Sequence, residues 1–210
     1  MLIPHEKVVA TLKAKNIFIK GILHIGAHEC EELGAYVKAG VSAGSIDWIE
    51  ANPELVTRMA SRGIKVHNAA ISDVETVLPF HITNNGQSSS LLEFGTHAVS
   101  YPWCKVVKTL SVKTETLVSV VHRENIPIRE RNFWNLDIQG AELNALKSAG
   151  DLLQYADAIY TEVNTREVYK GCALLGDLDT FLDQKGFYRD SISMTGEGWG
   201  DALYIRKVTA

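Results

Sequence analysis

Short apolar runs alternate along this chain with stretches whose apolar residues return at helical spacing, and glycine, proline or a polar cluster marks most of the changes. Residues 21–25, 45–50, 64–70, 131–138 and 157–163 have the length and side chains of buried strands. Between and after them, 30–38, 53–61, 114–124, 141–149 and 174–185 read as amphipathic helices; in the last, Leu174, Leu178, Phe181 and Leu182 share one face. Pro53 suits a first helical position, and Gly40, Gly63, Gly150 and Gly186 stand where helices stop. Strands with little polar alternation, separated by helices, predict a mostly parallel sheet covered on both faces. At the end, 187–194 and 202–207 flank the glycine-rich stretch 195–201 and predict an antiparallel hairpin. The fold class is α/β, Rossmann-like, with that hairpin closing the sheet.

One region breaks the alternation. Residues 76–83 and 105–112 are β-rich, but Pro79, Asn84, Asn85, Gly86 and the run Ser88, Ser89, Ser90 interrupt them, which predicts a β-rich insertion or lid around 76–112. With 210 residues the chain reads as a single domain, 1–210, large enough for a continuous core. A net charge of -4 without a basic run gives nucleic acid no electrostatic grip. Pro4, His5 and Glu6 interrupt any secretory pattern, and no window has the apolar length of a membrane span, so a soluble, cytoplasmic protein is expected. Cys30, Cys104 and Cys172 are too dispersed for a disulfide framework or a zinc site.

Three segments carry candidate chemistry. Leu23 to His28 is a strand that breaks into a turn at Gly26, and Glu50 ends the next strand, 24 residues later. This spacing is that of a nucleoside-binding βαβ unit, in which the acid accepts hydrogen bonds from a ribose diol. His28 stands where a dinucleotide site needs its second glycine, so the pattern favours a nucleoside ligand without a pyrophosphate, such as S-adenosylmethionine. The third segment puts Asp137 after Phe133, Trp134 and Leu136; Glu162 ends the following strand, with Asn164 two residues on. Two converging carboxylates need a proton, a metal or a bound cation between them. Asp137 or Glu162 would accept a proton, or Asp137, Glu162 and Asn164 would hold Mg or Mn. His24 reads first as a hydrogen-bonded core histidine, Glu142 as a helix-dipole partner, and the serine run as a flexible loop or as ligand-holding hydroxyls. Nucleophile-elbow, zincin and Walker motifs are missing from the sequence.

Taken in order, His24 to His28, Ile49 to Glu54, Asn68 to Asp73, the serine run with Leu91, and Leu136 to Leu143 resemble the blocks of the FkbM-type methyltransferases. The resemblance spans roughly 21–187 and implies a class I methyltransferase fold, S-adenosylmethionine as cofactor, and a sugar or glycan hydroxyl as acceptor. It implies that Gly26 and Ala27, with His24 and His28 beside them, face the methionine part. It places Glu50 and Ala51 at the ribose, Ala70, Ile71 and Asp73 at the adenine edge, Ser88 and Ser89 at the ligand, and Asp137 between cofactor and acceptor. His24, Cys30 and Gln139 depart from the usual pattern, which has acids at the first and last of these positions and a small residue at the second. In its shortness the chain is similar to stand-alone sugar O-methyltransferases, including those of large algal viruses, for which the compartment would be the host cytoplasm. A nucleoside-binding module without catalysis and an NAD-dependent oxidoreductase are the competing readings; the paired acids disfavour the first and His28 the second.

Overall fold

A computed structural model describes residues 2–208. Helix α1 (His5–Ala14) leads into β1 (Ile22–Ile25), α2 (Leu33–Lys38), β2 (Ile46–Glu50), α3 (Pro53–Ser61), β3 (Val66–Asn68) and β4 (Ala70–Ile71). Then come β5 (Val77–Thr83), α4 (His97–Ser100), β6 (Val106–Glu115), α5 (Leu117–Glu124), β7 (Phe133–Leu136) and α6 (Glu142–Ser148). The chain closes with β8 (Ala158–Asn164), α7 (Leu175–Gln184), β9 (Phe187–Met194) and β10 (Trp199–Arg206).

The main sheet has seven strands in the order β3-β2-β1-β7-β8-β10-β9. Parallel pairing runs from β3 to β8, and β10 lies antiparallel to both of its neighbours. Because successive side chains leave a strand on opposite faces, β1 sends Leu23 and Ile25 into one core layer and Ile22 into the other. The first layer includes Leu117 and Val120 of α5, Leu146 of α6 and Leu178 and Leu182 of α7; the second includes Val8 and Leu12 of α1, Tyr36 of α2 and Met59 of α3. Burial on both faces explains why the strands read as unbroken apolar runs. Asn52 caps α3, its side chain accepting the Glu54 N–H at 3.0 Å, and Thr116 caps α5 through the Ser119 N–H at 3.1 Å.

Several boundaries differ from the sequence expectation. Helix α1 had no predicted counterpart, because only Val8 and Leu12 of its residues are buried and the rest of its surface is polar or exposed. The run 64–70 divides after Asn68, and β4 leaves the main sheet to join β6 and β5 in a three-stranded sheet. Helix α2 starts later than position 30, because His28 and Cys30 adopt left-handed backbone angles and fold the intervening residues into turns. The final strand starts at Trp199, where the Thr195 N–H bonds to the Trp199 carbonyl at 2.8 Å and closes a short turn. The expected insertion is the β5–β6 pair with the loop and α4 between its strands; the loop backbone is tied to the body through Gly95, Thr96 and His97, which donate to Glu167 and Val168 carbonyls.

Candidate active site

The chain runs outward from β1 toward β3 in one direction and from β7 toward β9 in the other, so a crevice opens at the carboxyl ends of β1 and β7. A cavity of about 510 Å³ lies there. Its wall brings together His24, Gly26, Ala27, His28, Glu50, Ala51, Ala70, Ile71, Ser88, Ser89, Asp137 and Glu162. Asp73 and Asn164 are outside it: Asp73 is exposed on the loop after β4, and Asn164 is buried beyond Glu162.

Gly26 has φ of +92°, and a Cβ there would lie 1.8 Å from the Asp137 carbonyl oxygen. The glycine is thus required by the approach of β7, whose Asp137 N–H bonds to the Ile25 carbonyl at 2.9 Å, before any ligand is considered. The N–H groups of this turn are also engaged. Gly26 and Ala27 donate to the Ile49 carbonyl at 2.9 and 3.0 Å, and His28 donates to Glu50 Oε2 at 2.9 Å. Glu50 Oε1 accepts the Asn52 N–H at 2.7 Å. Each carboxylate oxygen keeps further acceptor capacity. Burial raises the Glu50 pKa above its ordinary value, against the pull of the Asn52 and His28 N–H groups. His28 itself is raised: burial opposes its charge, but Glu31, 2.6 Å from Nδ1, and the charges of Glu50 and Glu29 favour it. Glu31 correspondingly falls to about 2 despite its partial burial.

His24 is the core histidine the sequence implied. It is buried, Nδ1 lies 3.1 Å from the Tyr36 hydroxyl, its ring packs on Trp48, and burial drops its pKa to about 3. It touches the cavity as a neutral ring.

Asp137 and Glu162 converge through a residue that sequence reasoning passed over. Gln139 Nε2 donates to Asp137 Oδ1 at 2.6 Å and to Glu162 Oε2 at 2.8 Å, while its Oε1 accepts the Tyr169 hydroxyl at 2.5 Å. Gln139 holds a left-handed φ of +57°, and the Ser90 hydroxyl fastens its carbonyl at 2.8 Å. Burial raises Asp137, aided by the charge of Asp201, and burial with Glu142, Asp137 and Asp201 raises Glu162 well above the carboxylate range. The arrangement gives the expected divalent cation no support. One oxygen of each acid, Asp137 Oδ1 and Glu162 Oε2, already faces the Gln139 amide, Asn164 presents Nδ2 to Glu162 Oε1 at 3.4 Å, and no metal-ligating group of three or more His, Cys, Asp and Glu side chains occurs among the described residues. Glu142 is a structural acid: its carboxylate accepts the Ile138 N–H at 2.9 Å and the Gly140 N–H at 3.0 Å, and burial pushes it up to about 7.

The serine run is ordered. Ser88 Oγ accepts from Asn85 Nδ2 at 2.9 Å, Ser89 Oγ donates to the Gly86 carbonyl at 2.6 Å, and Ser90 holds Gln139.

Residues 24–188 match the family model described as the methyltransferase FkbM domain. The chain belongs to the FkbM methyltransferase family. Among curated proteins this methyltransferase is 24% identical over 182 residues to the 2-O-methyltransferase NoeI of Sinorhizobium fredii, covering 80% of its own length and 71% of NoeI. Among solved structures it aligns with the magnesium protoporphyrin IX methyltransferase of Synechocystis with bound SAM, at 11% identity and a TM-score of 0.49 over 97% of this chain and 78% of that one. A SAM-dependent methyltransferase from Aquifex aeolicus aligns at 13% identity and a TM-score of 0.47, over 98% and 90%.

On the β8 and β10 side, the methyltransferase builds a wall that no sequence motif announced: His97, Tyr101, Trp103, Tyr169 and Trp199, with Asp201 beneath. Trp199 Nε1 donates to the Tyr101 hydroxyl at 2.8 Å, and Asp201 accepts from the Tyr160 hydroxyl and the Leu2 N–H. His97 is carried there by pairing of 93–97 with 167–170, where a Cβ on Gly95 would lie 2.2 Å from the Glu167 carbonyl oxygen. Aromatic residues clustered between Phe94 and Trp103 were the available signal; their convergence with Tyr169 and Trp199 is a product of the fold.

Proposed function

We propose that this protein is an S-adenosylmethionine-dependent O-methyltransferase acting on a hydroxyl of a sugar or glycan. The observation that carries the reading is one cavity in which Glu50, at the end of β2, faces the same space as the Asp137 and Glu162 pair at the ends of β7 and β8. The residues fit the cofactor's parts. Glu50 has acceptor capacity left for a ribose diol, Leu55, Ile71 and Phe80 offer an apolar bed for a base, and His28, whose protonated form the neighbouring acids favour, suits a carboxylate. The carboxyl side chains suit the positive sulfonium and ammonium groups. When bound, S-adenosylmethionine supplies a methyl group activated for attack by its sulfonium.

The protein's part is to hold the acceptor in line and to receive its proton. Asp137 is suited to the second task, because burial and the charge of Asp201 raise its pKa and make it a stronger base than an ordinary carboxylate. Burial and the neighbouring acids favour the protonated form of Glu162, and Gln139 fixes both carboxyl groups toward each other. Similarity to a 2-O-methyltransferase supports oxygen as the methylated atom.

The test is calorimetric titration with S-adenosylmethionine, S-adenosylhomocysteine and NAD, followed by mass spectrometry of methyl glycosides incubated with enzyme and cofactor. Binding of the first two ligands but not NAD, and the gain of one methyl group by a glycoside, are expected. Absence of S-adenosylmethionine binding removes the reading.

A further inference from the structure

Six carboxyl side chains line the cavity, Glu31, Glu32, Glu50, Asp137, Glu162 and Asp201, whereas no lysine or arginine lines it among the described residues. His28, at the Gly26 end of the wall, is paired to Glu31 at 2.6 Å. The opposite end has different chemistry. From β2 to β10 the sheet advances four strand spacings, about 19 Å, so Trp199 and Asp201 lie well away from Glu50, and Trp199 is joined to the rest of the wall through the Tyr101 hydroxyl.

Within that wall His97 is only 6% exposed and lines the cavity, and its Nδ1 is buried without a hydrogen-bond partner. Its ring stacks on Phe94 at 4.3 Å and packs edge-on or tilted against Tyr101 and Tyr169 at 4.9 and 5.4 Å. An imidazole with an unpaired buried nitrogen costs stability unless a ligand or a rearrangement on binding serves it. Trp103, 59% exposed, extends the wall outward from Tyr101, at 6.2 Å between ring centroids. Flat rings beside a polar nitrogen suit a ligand with one apolar C–H face and hydroxyls at its rim, which describes a pyranose.

Resting on the O-methyl transfer reading above, we infer that the acceptor is an uncharged glycosyl ring, bound on the His97, Tyr101, Trp103 and Trp199 wall, and that sugars still carrying phosphate or a nucleotide are rejected. Phosphate oxygens are normally met by arginine, lysine or free N–H groups. Here they would meet carboxylates, an arrangement that discriminates by repulsion. Bound cofactor contributes one net positive charge, too little to reverse the acidic lining. The reaction that supplies the substrate is accordingly a glycosyl transfer that has already expelled the nucleoside diphosphate, and methylation follows it.

The experiment offers the wild-type enzyme glucose, galactose, mannose and fucose, each as methyl glycoside, sugar 1-phosphate and nucleoside diphosphate sugar, and reads methyl gain by mass spectrometry. Expected is transfer to a methyl glycoside with a kcat/KM at least about tenfold above that for either phosphorylated form of the same sugar. Equal or better transfer to a phosphorylated form overturns this inference and leaves methyl transfer intact. No transfer to any form, with S-adenosylmethionine bound normally, defeats the sugar reading and this inference together. On the accepted glycoside, Trp103→Ala and His97→Phe should each raise the acceptor KM about tenfold without changing cofactor Kd, and His97→Phe should not lower Tm. An unchanged KM in both variants overturns the placement of the acceptor on this wall.

Discussion

Asp137 differs from an ordinary strand-end acid because Gln139 and the neighbouring carboxyls decide when it ionises. Asp137→Asn keeps the shape and loses the base, so the single-turnover rate at saturating cofactor should fall about 100-fold to 10,000-fold. Single-turnover kinetics with parallel calorimetry check this, and retained turnover would take Asp137 out of proton transfer. Wild-type activity should also persist in excess chelator, since the Gln139 amide stands where a bridging cation would sit. Loss of activity restored by magnesium would contradict that geometry. Glu50 has a separate task. Glu50→Gln should weaken S-adenosylmethionine binding by about 1.5–3 kcal/mol through lost charge-assisted bonds, and an unchanged Kd would exclude the carboxylate from the ribose. Gly26→Val belongs to another category: the clash with the Asp137 carbonyl means that it disrupts the junction of β1 and β7 rather than a ligand contact alone.

At the scale of elements, the segment 84–90 and the turn 137–140 support each other. Ser90 bonds the Gln139 carbonyl and its backbone pairs with His81 of β5, so the excursion sheet is tied to the turn that presents both acids. Ser90→Ala should lower stability by about 1 kcal/mol, or about 2–4 °C in Tm for a chain of this size, read by thermal denaturation. No loss of Tm would return the serine run to the flexible-loop reading. Periodicity made the helices and parallel strands legible because one-sided or two-sided burial leaves a repeat in the sequence. It could not reveal that 64–70 divides between two sheets, since the division depends on where β6 lies.

At the scale of the whole molecule, the cavity gathers carboxyl groups that burial holds above their usual pKa, Glu50, Asp137 and Glu162, and Glu142 outside its lining is pushed up to about 7. A raised folded-state pKa favours the protonated form, so the stabilisation from these groups is complete below their ordinary values and is lost as pH rises through the raised ones, which for Glu142 is about 7. A positively charged ligand among them lowers their pKa values, releases protons on binding and binds more tightly as pH rises. The Tm gain produced by S-adenosylmethionine should therefore be larger at pH 8 than at pH 6; equal gains would separate these carboxyls from the ligand's field.

The sequence by itself determined the α/β class, the turn at Gly26, Glu50 at the end of β2 and the blocks of the FkbM methyltransferases, because strand burial and the spacing from β1 to β2 are local properties. It also marked Asp137 and Glu162 as strand-end acids. Only the tertiary structure decided how the two acids share a cavity. Gln139 and Tyr169 are 30 positions apart, and their contact exists only once β7 and β8 pair and 167–170 folds back on 93–97. The same holds for the aromatic wall and Asp201, which come from α4, the loop beyond it and β10. Their side chains have no shared period in the sequence, and the reversed strand β10 brings two of them to the crevice.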